Sequence, residues 1–595
     1  MDTETLSPRT FGNEDRLPRV PLPTLEESCA RFLQWCAPLL SAEQLAETEE
    51  AVAAFLRPGS PARTLHAALE QYDATEGVRS YLDLFWPSRY LGRRDRIALN
   101  ANFFFLFEDV ESDQVSRAVA LLSAAVEHKL ALDAEELAPV VLRGQPQSME
   151  QQKFLFSTTR IPGVEQDTVR APYGHGWDGP SPARHVAVFF RGAVFSLDVL
   201  SPDGLPHSPD ALAAGLRSIL ADAVRPASPV GHLTTKARAE WAASREALRA
   251  LPGNAGALEV IESALLCLCL EDFAPADLQE ACDQLLHGDS GNRWFDKAVS
   301  LIVFADGRAG INVEHCGLDG TTILAFTDAL LRPPPPRSPA VADGEPQVAA
   351  VEFTVDEALR ADIAAAAASF GEYAAGTATM TVSFPAFGAE AIKALSMSPD
   401  AFVQMAYQLA HKRSKGLTGA TYESIATRQF QNGRTEAMRV VTPEVLAFLA
   451  AVEDPEATEE ARRDALRAAA SAHVARAKEC QAGLAPEQHL WELQWVQRRR
   501  GAELGTTEPL ALYDSPGWLV MRDDYLSTSS APSTTIQYFG FGSTSPQCIG
   551  VAYVLLPERF NVYLSTPRSV AAEMTAFADH LRTAVAELGA LLSEA

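Results

Sequence analysis

Residues 311–320, INVEHCGLDG, set a histidine between two acids: Glu314 precedes His315, and Asp319 with Gly320 follows it. Imidazole is the one side chain whose ordinary pKa lies near neutrality, so it can take a proton from a hydroxyl and return it within a single reaction. The His-x-x-x-Asp-Gly spacing suits an imidazole held in one orientation while the acid secures the turn from behind. A lone histidine at a strand end serves equally well as a hydrogen-bonded structural residue, so it is the spacing, not the residue type, that argues for catalysis. Cys316 adjoins His315, yet neighbouring strand residues point to opposite faces, which suits the pair badly for a thiolate–imidazole nucleophile.

The elements that must position this histidine are legible on both sides of it. Ahead of it, AVSLIVFADGRAGINVEH alternates in polarity around Asp306-Gly307, which predicts two strands joined by a tight turn, with His315 at the end of the second. A further strand pair is expected at 185–200, with helices over 24–57, 256–270 and 273–287. Residues 330–347, LLRPPPPRSPAVADGEPQ, interrupt the pattern, because four consecutive prolines cannot continue a helix and favour an extended connector. Beyond it, helices are expected at 354–369, 399–412, 455–482 and 567–593, and strands at 378–384, 517–522, 534–541 and 549–565. Strands alternate with helices on both sides of the connector, which predicts two α/β halves with a cleft between them as the natural ligand site.

Composition narrows the function. With 47% apolar and 21% charged residues the 595-residue chain is an ordinary globular protein, long enough for two cores. Acids outnumber bases 77 to 50, and a formal charge of −27 repels phosphate backbones and anionic lipid, so neither nucleic acid nor membrane is an expected partner. The eight cysteines have no metal-ligand spacing and read as buried, reduced thiols; no metal is expected. No apolar run is long enough for a membrane span, and the start, MDTETLSPRT, has neither secretory nor transit character, so a cytoplasmic location is the expectation.

Several longer blocks are individually specific: TRIPG (159–163), RGAVFSLDVL (191–200), VGHLTTKARAEW (230–241), LEVIESAL (258–265), GNRWFDKAVSLIV (291–303), SPDAFVQMAYQLA (398–410), TYESIATRQFQNGRTEAMR (421–439) and LSTS (526–529). In these blocks the sequence resembles the carnitine/choline acyltransferase family over nearly its whole length. The resemblance implies two chloramphenicol-acetyltransferase-like α/β domains with an active-site tunnel at their interface. It further implies an N-terminal helical segment (1–65) packing on the second domain, a first domain (66–331) carrying His315, a proline-rich connector (332–349), and a second domain (350–595) carrying the CoA and acceptor motifs. The implied reaction is direct acyl transfer between a CoA thioester and a small alcohol by a monomer, without a separate cofactor.

The resemblance also implies roles for particular residues. His315 is the general base, Ser529, the last residue of Ser-Thr-Ser, the oxyanion donor, and Asp319 a buried acid that orients the loop, paired with an arginine. The family holds CoA with two lysines before Ser-Pro-Asp; here the first position is Ala389 and the second Lys393, which leaves Lys393, Ser398 and Asp400 as the CoA residues. An acyl carrier protein would need no clamp on a 3′-phosphate and is the alternative donor. Tyr422, Thr435, Ser527 and Phe539 match acceptor-site positions. The arginine that binds the carnitine carboxylate is replaced by Gln488, and the position two after Thr435 is Ala437, so the acceptor is expected to be a neutral or cationic alcohol and not carnitine. Gln537, two residues before Phe539, stands where long-chain members carry a small residue, so short acyl groups are expected. An idle acyl-CoA-binding relative is the reading from another class, and intact His315, Asp319 and Ser-Thr-Ser argue against it.

Overall fold

The computed structural model describes residues 6–174, 177–333 and 340–593. The fold is mixed α/β with two large sheets, and the chain divides into two compact units. Neither unit is a contiguous half. One gathers Arg89–Thr381 with the segment up to Asp15 and with Ser533–Gly542; the other gathers Arg16–Ser88, Val382–Pro532 and the chain from Ser543 onward.

The first unit is built on an eight-stranded sheet in the order Val348–Ala350, Ala193–Asp198, His185–Phe190, Cys267–Leu270, Val299–Val303, Ala309–Val313, Phe103–Phe107, Ile536–Phe541. Its central strands are buried throughout, with Cys267–Leu270 running parallel to both neighbours. Such strands read as continuous apolar runs. That is why LLCLCL reads as the end of a helix in the sequence, whereas the helix closes at Ser263 and the apolar run after it forms the strand Cys267–Leu270. The hairpin leading to His315 is present as Val299–Val303 and Ala309–Val313, with Gly307 at φ +85° in the turn. There a Cβ would stand 2.0 Å from the Ser112 carbonyl oxygen, so only glycine fits.

The proline stretch is not the divide. Residues 334–339 lie outside the described residues, but just after them Val348–Ala350 pairs with Ala193–Asp198, and the helix Glu357–Ala375 also belongs to the first unit. The chain changes units at Thr381–Val382, inside the strand Thr377–Phe384.

The second unit carries a six-stranded sheet in the order Thr377–Phe384, Phe560–Pro567, Ile549–Leu555, Asp524–Ser530, Ala420–Ala426, Thr435–Arg439. Helices Pro399–Lys415 and Ala571–Ser593 pack together, and the first bonds to the sheet through Gln404 to Thr528 and Gln408 to Thr421. The N-terminal helical stretch is broken, not continuous: Pro38 ends the first helix, and Ser41 opens Ala42–Leu56 with a capping box to Gln44. Residues 517–522 are helical where a strand was expected, because Ser515 caps Trp518 and Pro516 sits at the first helical position.

Candidate active site

His315 follows the strand Ala309–Val313 by two residues. Its Nδ1 lies 2.8 Å from the Leu318 carbonyl oxygen. A carbonyl only accepts, so Nδ1 carries the proton and Nε2 keeps the lone pair, the form a general base requires. The ring stacks on Tyr90 at 5.1 Å and 14°, and Phe103 flanks it at 4.8 Å. At 23% side-chain exposure the imidazole is sheltered yet reachable.

Asp319 stands behind it, Oδ1 3.7 Å from His315 Nδ1. It opens the helix Gly320–Leu331 but does not cap it with its side chain. An amide is among its partners: Gln151 Nε2 donates to Asp319 Oδ2 at 2.8 Å, while Gln151 Oε1 accepts from the Asp319 N–H at 2.9 Å and from the Thr322 hydroxyl at 2.8 Å. An arginine holds the preceding acid, Glu314. Arg160, of TRIPG, pairs with Glu314 at 2.7 Å and Asp167 at 2.6 Å and donates to the Tyr90 carbonyl at 2.7 Å. Arg238 extends the buried network to Asp167 and Asp296. One guanidinium therefore ties together the residue before His315 and the residue stacked on it.

Cys316 is no competitor for the chemistry. Burial, with Glu314 beside it, pushes its thiol well above the ordinary range, and Sγ points to the Glu314 carbonyl.

Phe539 and Gln537 lie in the first unit, on the strand Ile536–Phe541 that pairs with Phe103–Phe107. Phe539 meets Phe105 edge-on at 5.4 Å and Phe103 at 6.1 Å, so it belongs to the aromatic wall that also flanks His315. Gln537 is buried, with its Nε2 donating to the Phe107 carbonyl at 2.9 Å.

In the second unit, strand register brings the acceptor-site positions onto one face. Tyr422 is opposite Arg439 and beside Ser527, Ser424 is opposite Ala437, and Ala426 is opposite Thr435. Side chains alternate along a strand, so Tyr422, Ser424, Thr435, Ala437, Ser527 and Ser529 face the same way. Thr528 faces the helices and accepts from Gln404. Gly550 and Ala552, opposite Ser527 and Ser529, leave little side chain over the serines. Tyr422, Thr435 and Ser529 are half-buried, and their hydroxyls have no hydrogen-bond partner among the described residues. Gln488 lies at the sheet edge, buried, on the helix Pro486–Leu504, and its Nε2 donates to the Thr435 carbonyl at 2.8 Å.

The three donor-site positions part company. Lys393 is exposed and paired with Glu390 at 2.7 Å. Ser398 caps the helix Pro399–Lys415, and Asp400 lies in its first turn. Asp400 accepts from Tyr553 at 2.7 Å and sits 3.1 Å from His473, whose Nε2 is also 3.4 Å from Glu423. Burial acts to raise Asp400, but the imidazole holds it below the usual carboxylate range; Glu423, buried and beside that charge, is pushed well above it. These three side chains bring ligand-type atoms within 4.8 Å of one another, as an imidazole shared by two acids. Lys412, Arg413 and Lys415 have local partners: the Gly416 carbonyl, Glu587 and Glu573.

Sequence reasoning missed Gln151, Tyr90 and Phe103, which stand far from His315 in the chain with no local spacing to betray them. Ser424 carried a signal, two residues after Tyr422 on a strand, that went unread.

A family model described as choline/carnitine O-acyltransferase matches residues 20–583. Mitochondrial carnitine O-palmitoyltransferase 2 of Rattus norvegicus is 32% identical, over 92% of this chain and 87% of that protein. Carnitine O-acetyltransferase of the same animal is 30% identical, over 99% of this chain and 95% of that protein. Among solved structures, a trichothecene 15-O-acetyltransferase from Fusarium sporotrichioides aligns at 11% identity with a TM-score of 0.38, covering 84% of this chain and 92% of that one, too distant to argue from. On the family match and these relatives, the chain belongs to the choline/carnitine O-acyltransferase family and is a CoA-dependent acyltransferase.

Proposed function

We propose that this transferase moves a short acyl group between CoA and a small alcohol that is not carnitine, with His315 as general base and Ser529 as oxyanion donor. The observation that carries the reading is the bond from His315 Nδ1 to the Leu318 carbonyl, which leaves Nε2 as the proton acceptor. The acceptor hydroxyl gives its proton to Nε2 and its oxygen bonds to the thioester carbonyl carbon. Charge then collects on the carbonyl oxygen, where the Ser529 hydroxyl donates to it. The carbon–sulfur bond breaks, and the CoA thiolate takes the proton back from Nε2. Asp319, 3.7 Å from Nδ1, steadies the ring while it is cationic. The family resemblance supplies the rest of the arrangement, with CoA and the alcohol entering a tunnel from opposite ends.

Lys393 serves CoA in this reading. An exposed pair such as Lys393–Glu390 is worth under about 1 kcal/mol, so the lysine is easily exchanged to a phosphate. Gln488 and Ala437 support the exclusion of carnitine. A neutral amide in place of a guanidinium forfeits a charge-assisted contact to the carboxylate, a loss of about 2–5 kcal/mol in a dry site. The relatives named above act on palmitoyl and acetyl groups at nearly equal identity, so kinship does not decide chain length. Gln537 favours the short chain, because a buried amide bonded to the backbone is poor company for a long apolar tail.

The test is thiol release from acetyl-CoA in the presence of alcohols. His315→Ala should lower kcat by at least about a hundredfold with an unchanged circular-dichroism spectrum; a variant within tenfold of the parent removes His315 from the mechanism. Faster turnover of palmitoyl-CoA than of acetyl-CoA would overturn the chain-length assignment.

A further inference from the structure

The helix Pro486–Leu504 turns an unusually polar flank inward. Gln488 and Glu492, one turn apart on one face, are both buried. Tyr81, fully buried, lies close enough to feel the charges of Glu492 and Glu436, the latter next to Thr435 on the strand with its side chain on the opposite face. Three atoms in this patch, Gln488 Oε1, Glu492 Oε2 and Tyr81 Oη, are buried with no hydrogen-bond partner among the described residues. Buried polar atoms are nearly always satisfied, each unmet one costing about 1–3 kcal/mol. Of the three, Gln488 Oε1 lies at the edge of the face carrying Tyr422, Ser424 and Thr435, a place that a ligand completes.

The polarity of that place can be read. The Thr435 carbonyl only accepts, so it is the amide nitrogen of Gln488 that faces it, and the oxygen is the pole left over. Glu492 Oε1 is already held by Arg499, which leaves Oε2. Gln488 thus offers a pure acceptor, and Glu492 does so whenever its carboxyl is ionised. A carboxylate brought here meets oxygen against oxygen. A trimethylammonium head, which has no N–H, satisfies neither atom. We infer that the acceptor alcohol carries an N–H or O–H donor where carnitine carries its carboxylate, and that Gln488 Oε1 accepts from it. The inference rests on the proposed acceptor site and narrows it to amino alcohols and polyols. Burial raises the Glu492 carboxyl to about 7, so near neutrality it can meet a neutral hydroxyl or amide as acid or acceptor and an ammonium as anion.

Four alcohols that share one scaffold decide it: L-carnitine; its primary amide; the diol in which the carboxylate is reduced to a hydroxymethyl group; and choline, which has nothing at that place. With acetyl-CoA and thiol release as readout, the amide, the diol or both should exceed L-carnitine and choline by at least about tenfold in kcat/KM. The ratio of amide to diol tells N–H from O–H recognition. Gln488→Arg should reverse the order in favour of L-carnitine, and Gln488→Met should flatten it, both read alongside a thermal melt. If the variants do not fold, the ranking in the parent enzyme still decides.

A preference for L-carnitine overturns this inference and the exclusion of carnitine, while the acyl-transfer chemistry stands. A preference for choline over all three overturns the donor and keeps the exclusion. A donor preference that persists in a folded Gln488→Met removes Gln488 from the assignment. Release that appears with none of the four, or does not depend on His315, overturns the inference together with the reading beneath it.

Discussion

Gln151 controls the histidine turn through one primary amide. Its nitrogen holds the Asp319 carboxylate and its oxygen holds both the Asp319 N–H and Thr322, so the side chain and the backbone of the acid are fixed by a single plane. Replacing Gln151 with Glu keeps the oxygen and turns the donor into a charge facing Asp319. The Gln151→Glu variant should lose about ten- to a hundredfold in kcat with little change in KM, because the loss is one of orientation. A fall in thermal stability with kcat unchanged would make Gln151 merely structural. The sequence announced His315 and Asp319 because only three residues separate them, and it concealed Gln151 because the chain travels through five strands of the first sheet before returning to it.

Elements show a different boundary between the legible and the illegible. The hairpin ending near His315 was readable, since alternation and Asp-Gly are local signals. Residues 517–522 were not, because an apolar run fits strand and helix alike and Ser515-Pro516 decided the matter. Pairing across the sheet has no local signal at all: nothing in Ile536–Phe541 says that its partner is Phe103–Phe107. The buried ion network shows what such long-range contacts hold. Arg160 joins the strand end at Glu314, the Tyr90 carbonyl and Asp167, each from a different segment. Arg160→Met strands the buried Glu314 carboxylate, while Asp167 keeps Arg238, and should cost about 3–5 kcal/mol in chemical denaturation. If the cost is under about 1 kcal/mol, the network contributes position but not stability.

Across the whole molecule, buried acids set how stability varies with pH. Burial, which outweighs Arg499, raises Glu492 to about 7, and burial likewise raises Asp296 and Asp524 to about 6. A folded-state pKa above the unfolded one means that the native state binds the proton more tightly. The stability these carboxyls contribute is therefore fully present below the ordinary carboxylate pKa and is lost as pH rises through the folded values. Glutamine mimics the protonated acid, so the Tm of Glu492→Gln should rise relative to the parent between about pH 5 and about pH 8. A difference that stays constant over that range would mean that Glu492 does not titrate there.

The strand Ile536–Phe541 also governs the order in which the protein becomes itself on the ribosome. Phe103–Phe107 has all five residues destined for burial, and its outer neighbour is not synthesised until more than four hundred residues later. At about 5–20 residues per second, that edge waits on the order of a minute with its peptide groups open to any other strand. A chain truncated before Ser533 would keep that exposure for good, and a peptide carrying 533–542 supplied in trans is the natural mend. Birth of the catalytic sheet is thus tied to synthesis of Ser533–Gly542, and chains that stop short of it carry no finished sheet.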